Sequence, residues 1–223
     1  METVDVLIVV FAVVAVVGSV AGAALYEPGA TDQEFSVTFA RSSQRTLEPM
    51  TEDDTVTALN SPDSATFSFT HNISATSIVA LSFEIDVAAQ RQAQLPRAAT
   101  PTFTVTLTAP DGTEFNEGDG ACSATMQGSG GSCSVSAPAR YLTTVPEESV
   151  VVAAGNQDQA DEYVNTTYLS HDNATGEWTV TVTVNYPQGS APQQETVRAT
   201  STPMLRVLEA SVTPRTPDLP GAA

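Results

Sequence analysis

The 223 residues include no lysine, two histidines and two cysteines. Without lysine, 8 arginines stand against 26 acidic residues, a formal charge of −18. A surface of that sign repels a phosphate backbone, which argues against nucleic acid as a partner. The shortage of histidine leaves His71 and His171 standing alone, and each reads as a polar loop or strand-end residue. No HExxH, GxSxG or P-loop pattern occurs, and no serine has a recognisable nucleophile context. With no nucleophile, base and orienting group in sight, the chain is not expected to be an enzyme. Basic residues are missing around the N-terminus as well, and Arg41 is the first in the chain. Charge bias therefore assigns no membrane orientation. No internal repeat is visible, and nothing between Asp32 and Val212 shows a helical period.

What the chain does have at its start is an uncharged run, Val6 to Tyr26, VLIVVFAVVAVVGSVAGAALY. At about 1.5 Å per residue a helix of this length crosses roughly 30 Å of hydrocarbon. The run has no polar face, unlike a core helix. Residues 1–26 are expected to be a retained transmembrane anchor. A cleaved secretory signal is the alternative, since Ala21-Gly22-Ala23 has the small-x-small form, although Glu2 and Asp5 occupy the n-region where basic residues belong. The run also resembles the packing helix of type IV pilins and archaeal filament proteins, with Asp5 at the acidic fifth position. Those families carry a basic-Gly processing site ahead of the helix, and this chain does not. Gly18 and Gly22 form GxxxG, and small residues there let two helices approach closely.

Residues 27–34 form a linker, and residues 35–213 read as one β domain. Phe35, Val37 and Phe39 alternate with polar residues; residues 41–54 read as a loop; strands follow at Thr55–Leu59 and Ala65–Thr70. Ile78–Val87 points Leu81, Phe83, Ile85 and Val87 one way, and TFTVTLT does the same with Phe103, Val105 and Leu107. Pro110-Asp111-Gly112 is a turn signal, Pro fixing φ and Gly accepting positive φ. Ser149–Ala154 is a short apolar strand, and Asn156–Glu162 reads as an acidic loop. Glu177–Tyr186 alternates most regularly, and strands are expected at Glu195–Thr200 and Met204–Val212. Prolines at 214, 217 and 220 mark residues 214–223 as a loose tail. Short strands between turn signals predict a mainly β fold, an antiparallel β-sandwich of jelly-roll or immunoglobulin-like type, preceded by the one transmembrane helix.

Cys122 and Cys133 enclose a Gly-Ser tip and read as one disulfide. Sequons stand at Asn72-Ile-Ser, Asn165-Thr-Thr and Asn173-Ala-Thr. Together they place the domain outside a cell or a viral envelope. The one candidate ion site is Asp111, Glu114, Glu117 and Asp119, carboxylates and glycines of the kind that suit calcium, against a plain solvated acidic loop. No other cofactor is expected.

Two resemblances follow. LSFEIDV, then FTVTLTAPDGTEF, then GEWTVTVTV resembles the P domain that follows subtilisin-like proteases, through Ala109-Pro110-Asp111-Gly112-Thr113 and Gly176-Glu177-Trp178. About a third of the chain is covered. The resemblance implies a jelly-roll or immunoglobulin-like sandwich; members can bind calcium and usually accompany a catalytic domain, but nothing catalytic is carried over. Acid enrichment with no lysine resembles proteins of salt-loving archaea and their viruses. Self-repulsion destabilises a compact acidic chain, and at molar salt the screening length falls to about 3 Å. The expected role is a structural or interaction protein of a cell surface, envelope or virion. Its expected partners are membrane lipid and other proteins, homo-oligomers included. The alternatives are a filament subunit and a calcium- or carbohydrate-binding accessory module.

Overall fold

A computed structural model describes residues 33–58, 61–91, 99–127, 129–146, 149–190 and 194–215. The anchor reading, Gly18 and Gly22 with it, lies outside the described residues, as do most of the linker and tail. Among the described residues no helix is long and apolar enough to cross a membrane. The chain is mainly β, with antiparallel sheets. In order the strands are β1 Gln33–Arg41, β2 Arg45–Thr46, β3 Met50–Val56, β4 Asp63–Ile73, β5 Ile78–Arg91 and β6 Thr102–Thr108. They continue with β7 Glu114–Phe115, β8 Ala121–Thr125, β9 Gly130–Ser136, β10 Val150–Ala154, β11 Gly176–Tyr186 and β12 Glu195–Pro214. Among the described residues one α-helix, α1, spans Gln157–Val164. The described residues fall into two compact units: those within 33–37, 149–163 and 212–215 form the first, those within 38–146 and 164–211 the second.

The second unit holds the main core. In one sheet β11 lies between β4 and β6, and β6 also pairs with β7 and β8. In the other, β12 pairs with β5 on one side and with β2 and β3 on the other, while β9 pairs with the far edge of β5. Period-2 patterning decides which side chains meet. Phe67 and Phe69 of β4, Trp178, Val180, Val182 and Val184 of β11, and Phe103, Val105 and Leu107 of β6 are all buried. They belong to one cluster with Leu81, Phe83, Ile85 and Val87 of β5 and with Val197, Ala199 and Leu205 of β12. Each valine, leucine, isoleucine or phenylalanine among them contributes about 1.5–3 kcal/mol relative to exposure.

Three sequence expectations need correction. Residues 41–54 are not a loop throughout, since β2 and β3 lie within or run out of them. β3 is exposed at every position but Val56, so it has no buried face for alternation to record. Its attachment is polar: Arg198 of β12 holds both carboxylate oxygens of its partner Asp53, at 2.7 and 2.8 Å. The two C-terminal strands are one, β12, despite Pro203 in its interior. Pro203 falls between the end of β3 pairing at Ser201 and the start of β2 pairing at Met204. Its carbonyl accepts from Leu47 N–H at 2.9 Å, so the missing N–H faces that same break in the ladder.

The third correction is α1, where Asn156–Glu162 read as a loop. Asn156 Oδ1 caps Gln159 N–H at 2.9 Å, and Gln159 Oε1 accepts from Gly155 N–H at 3.0 Å. Eight residues with Ala160 and Val164 as the buried pair are too few to display a helical period. A π turn, Asn165–Leu169, follows.

In the first unit, Gln33–Val37 of β1 pairs antiparallel with β10, Gln33 opposite Ala154 and Val37 opposite Val150. Phe35, Ala154 and Ala160 form a small buried cluster with Val212 against it. Arg215 N–H donates to the Glu34 carbonyl at 2.8 Å, and its guanidinium meets the Glu34 carboxylate at 3.2 Å.

Candidate functional site

Two places in the second unit gather polar groups beside a recess. The first is built on the turn after β6. Ala109 N–H donates to the Thr113 carbonyl and Gly112 N–H to the Ala109 carbonyl, both at 2.9 Å, with Gly112 at φ +82°. Gly176, which opens β11, packs against this turn. A Cβ there would lie 2.8 Å from Pro110 Cβ, and its φ of +129° also calls for glycine. Asp111 accepts from Thr113 N–H at 2.9 Å and from the Tyr141 hydroxyl at 2.7 Å. The Tyr141 bond, then Thr113, then the nearby Arg140 charge hold the Asp111 carboxyl below its ordinary 3.8. The Arg140 guanidinium sits 5.0 Å from the Phe115 ring centre and 5.1 Å from that of Tyr141. With Pro110 and Asn173 these groups line an open recess of about 570 Å³. A carboxylate, a guanidinium and an amide around an aromatic edge can bind a polar, hydroxylated ligand.

The second place lies between the β2–β3 connection and the end of β4. A cleft of about 680 Å³ is lined by Leu47, Pro49, Met50, Ile73 and Pro203, with Arg45 and Glu48 also on its wall. His71 contributes to it from the inward row of β4, 5% exposed. His71 therefore stands near the end of β4, as a buried residue and not a loop one. The signal was present in the sequence, because it continues the inward parity of Ala65, Phe67 and Phe69. Its Nε2 lies 2.9 Å from Ser201 Oγ and its ring stands 5.5 Å from Phe83. Ser201 is fully buried, so the pair is a contact within the core.

Burial pushes the His71 pKa below its ordinary 6.5. The native ring thus takes up a proton less readily than the unfolded chain, which does so below about that ordinary value. The unfolded state then binds more protons, so stability rises with pH in that range. Melting of the wild type is expected to be level above neutral pH, as far as His71 is concerned, and to fall as pH drops below 6.5. His71→Gln should lose most of that slope in thermal melts run at fixed salt. An equal slope in both proteins would remove His71 as its source.

The remaining candidates separate. Cys122 of β8 and Cys133 of β9 are joined, with Cα atoms 6.4 Å apart. β8 belongs to the sheet of β6 and β9 to that of β5, so the link ties the two sheets together. Asp111, Glu114, Glu117 and Asp119 are all exposed, and among the described residues no three His, Cys, Asp or Glu side chains gather to hold a metal. The reason is local. Asp111 uses both oxygens on its own turn and on Tyr141, Glu114 is fixed on β7, and Glu117 and Asp119 flank or enter a 3-10 turn at Gly118–Gly120. Asn72, Asn165 and Asn173 are all exposed. The sequence offered no sign of Arg140 and Tyr141, which reach Asp111 only through the fold. No family model matches this chain, and neither does any curated protein.

Proposed function

We propose that this chain is a non-catalytic, single-pass membrane-anchored surface protein with a structural or interaction role in a cell-surface, envelope or virion assembly. One observation carries the reading: the uncharged run Val6–Tyr26 stands just ahead of an antiparallel β domain whose two sheets are joined by a disulfide. A run of that length suits a bilayer, and a disulfide persists in an oxidising compartment. The domain is of the jelly-roll or immunoglobulin-like sandwich class. Its charge of −18 suits a salty exterior, where screening removes self-repulsion. Partners are lipid through the anchor and protein through the domain, further copies of the chain included. Pairing through Gly18 and Gly22 gives the anchor its own route to a dimer.

The test is extraction from the native membrane. The full chain is expected to stay in the pellet at alkaline pH and to enter solution with detergent, whereas a chain lacking residues 1–26 should be soluble. Crosslinking before extraction should give species larger than one chain. A freely soluble mature protein beginning near Ala24 would sink the anchor, and a monomer under every crosslinking condition would sink the assembly role.

A second reading, an accessory module for carbohydrate, is supported by the recess of Asp111, Arg140, Tyr141 and Asn173. Neutral oligosaccharides titrated against the detergent-extracted protein would give heat on this reading and none on the first.

A further inference from the structure

Asn72 is distant in sequence from Asn165 and Asn173, yet the fold stitches their segments together. Asn72 stands opposite Glu177 at the end of the β4–β11 ladder, and Ile73 opposite Gly176. Beyond β4, the Thr175 hydroxyl donates to the Ala75 carbonyl at 2.7 Å. Ser77 N–H donates to the His171 carbonyl at 2.5 Å, and the Ser77 hydroxyl to the Leu169 carbonyl. Ser77 takes a left-handed φ of +54° to make these bonds, while its own carbonyl accepts from Leu208 N–H at 2.8 Å. Residues 72–77 and 165–176 are therefore one end of the second unit. All three sequon asparagines are exposed there, as are the Ser74 and Thr167 hydroxyl residues.

An independent observation concerns β4, which lies at the edge of its sheet. Edge strands are ordinarily guarded by charge, proline or a bulge. The exposed row of β4 is Ser64, Thr66, Ser68, Thr70 and Asn72, without a charge or a proline, in a chain that carries 26 acidic residues. Asn72 is the residue on that row that heads an Asn-x-Ser sequon and so can carry an N-linked group.

We propose that residues 72–77 and 165–176 form a glycan-bearing pole, with N-linked oligosaccharides on Asn72, Asn165 and Asn173, and that the Asn72 glycan guards the open edge of β4. The donor is an oligosaccharide linked to a lipid phosphate or pyrophosphate. The bond from the anomeric carbon to phosphate oxygen breaks, the bond from that carbon to the asparagine Nδ2 forms, and Nδ2 gives up one proton as the lipid phosphate leaves. No redox change occurs. The recess beside Asn173, lined by Pro110, Asp111, Arg140 and Tyr141, offers the first sugar a polar shelf. The proposal rests on the domain being exported, as the surface-protein reading holds.

The test uses the full chain purified from its native membrane, or from a host whose export machinery modifies Asn-x-Ser/Thr. Glycopeptide mass spectrometry should find sugar at two or three of the sequons. Asn72→Gln, Asn165→Gln and Asn173→Gln should each remove one step of gel mobility where the site is occupied. Removing the glycans on Asn165 and Asn173 should speed protease cleavage within 72–77 several-fold, since the segments adjoin. Asn72→Gln should self-associate more than Asn165→Gln in sedimentation, and Ser74→Ala, which removes the same sequon and keeps the asparagine, should behave alike. Sugar at one site or none overturns the pole, and equal self-association of the variants overturns the guard. Thiol labelling separates that failure from the broader one. Bare sequons with Cys122 and Cys133 oxidised leave the surface reading standing, and bare sequons with both thiols free take it down too.

Discussion

Trp178→Ala is expected to lower the unfolding free energy by about 3–5 kcal/mol, the range for losing a large aromatic side chain from a packed core. Trp178 is fully buried on β11, beside Tyr141 at 5.3 Å in an edge-on contact and Phe83 at 6.3 Å. Phe83 belongs to the opposite sheet, so the indole touches both layers and Tyr141 from the connection after β9. Its Nε1–H donates to the Ala174 carbonyl at 2.8 Å, inside the turn that leads into β11. Removing the ring leaves a cavity that rigid strands on both sides cannot close, and it strands that carbonyl as well. Trp178→Phe keeps most of the volume and loses the hydrogen bond, so it should cost about 1–2 kcal/mol. Urea titrations at one high salt concentration measure both. Equal losses for the two variants would show that the hydrogen bond, not the packing, holds this place.

Replacing both cysteines by serine should cost about 2–3 kcal/mol by the chain-entropy estimate for a loop of this length, with a sequence separation of 11. The position of the link adds a local expectation. β8 and β9 are peripheral strands of different sheets, and the tip between them holds Met126, which is fully buried. Cutting the link should therefore raise hydrogen exchange first in residues 121–136, before the centre of β11 responds. Reductant added to the wild type should reproduce the shift of the double variant. An unchanged midpoint under reductant would mean that the two edges stay together without the bond.

The strands that the sequence disclosed are those with one wet face and one dry face. β4, β5, β6 and β11 alternate because each buries every second residue. β3 escaped notice for the opposite reason, being wet on both faces and held by backbone pairing and the Arg198–Asp53 fork. α1 was hidden by its length, and the unity of β12 by Pro203, a strand breaker in isolation that is harmless at a gap in the neighbouring ladder. The Pro110-Asp111-Gly112 turn was legible because its requirement is local: one residue with fixed φ and one at φ +82°. Asp111 in that turn and Glu114, Glu117 and Asp119 after it read as a candidate ion site from spacing along the chain. Spacing along a loop does not state where side chains point, and Tyr141 claims the first of them.

By itself the sequence determined the β class, the inward rows of the longest strands, the turn after β6 and the −18 charge, because each depends on neighbours along the chain or on composition. The tertiary structure alone decided that Cys122 and Cys133 bridge two sheets and that His71 lies against Ser201. It also decided that Arg140 and Tyr141 close on Asp111, and that residues 72–77 join 165–176. Those pairings link residues far apart in the chain, and antiparallel pairing across sheets leaves no mark in local periodicity, since the same alternation fits many registers and many strand orders.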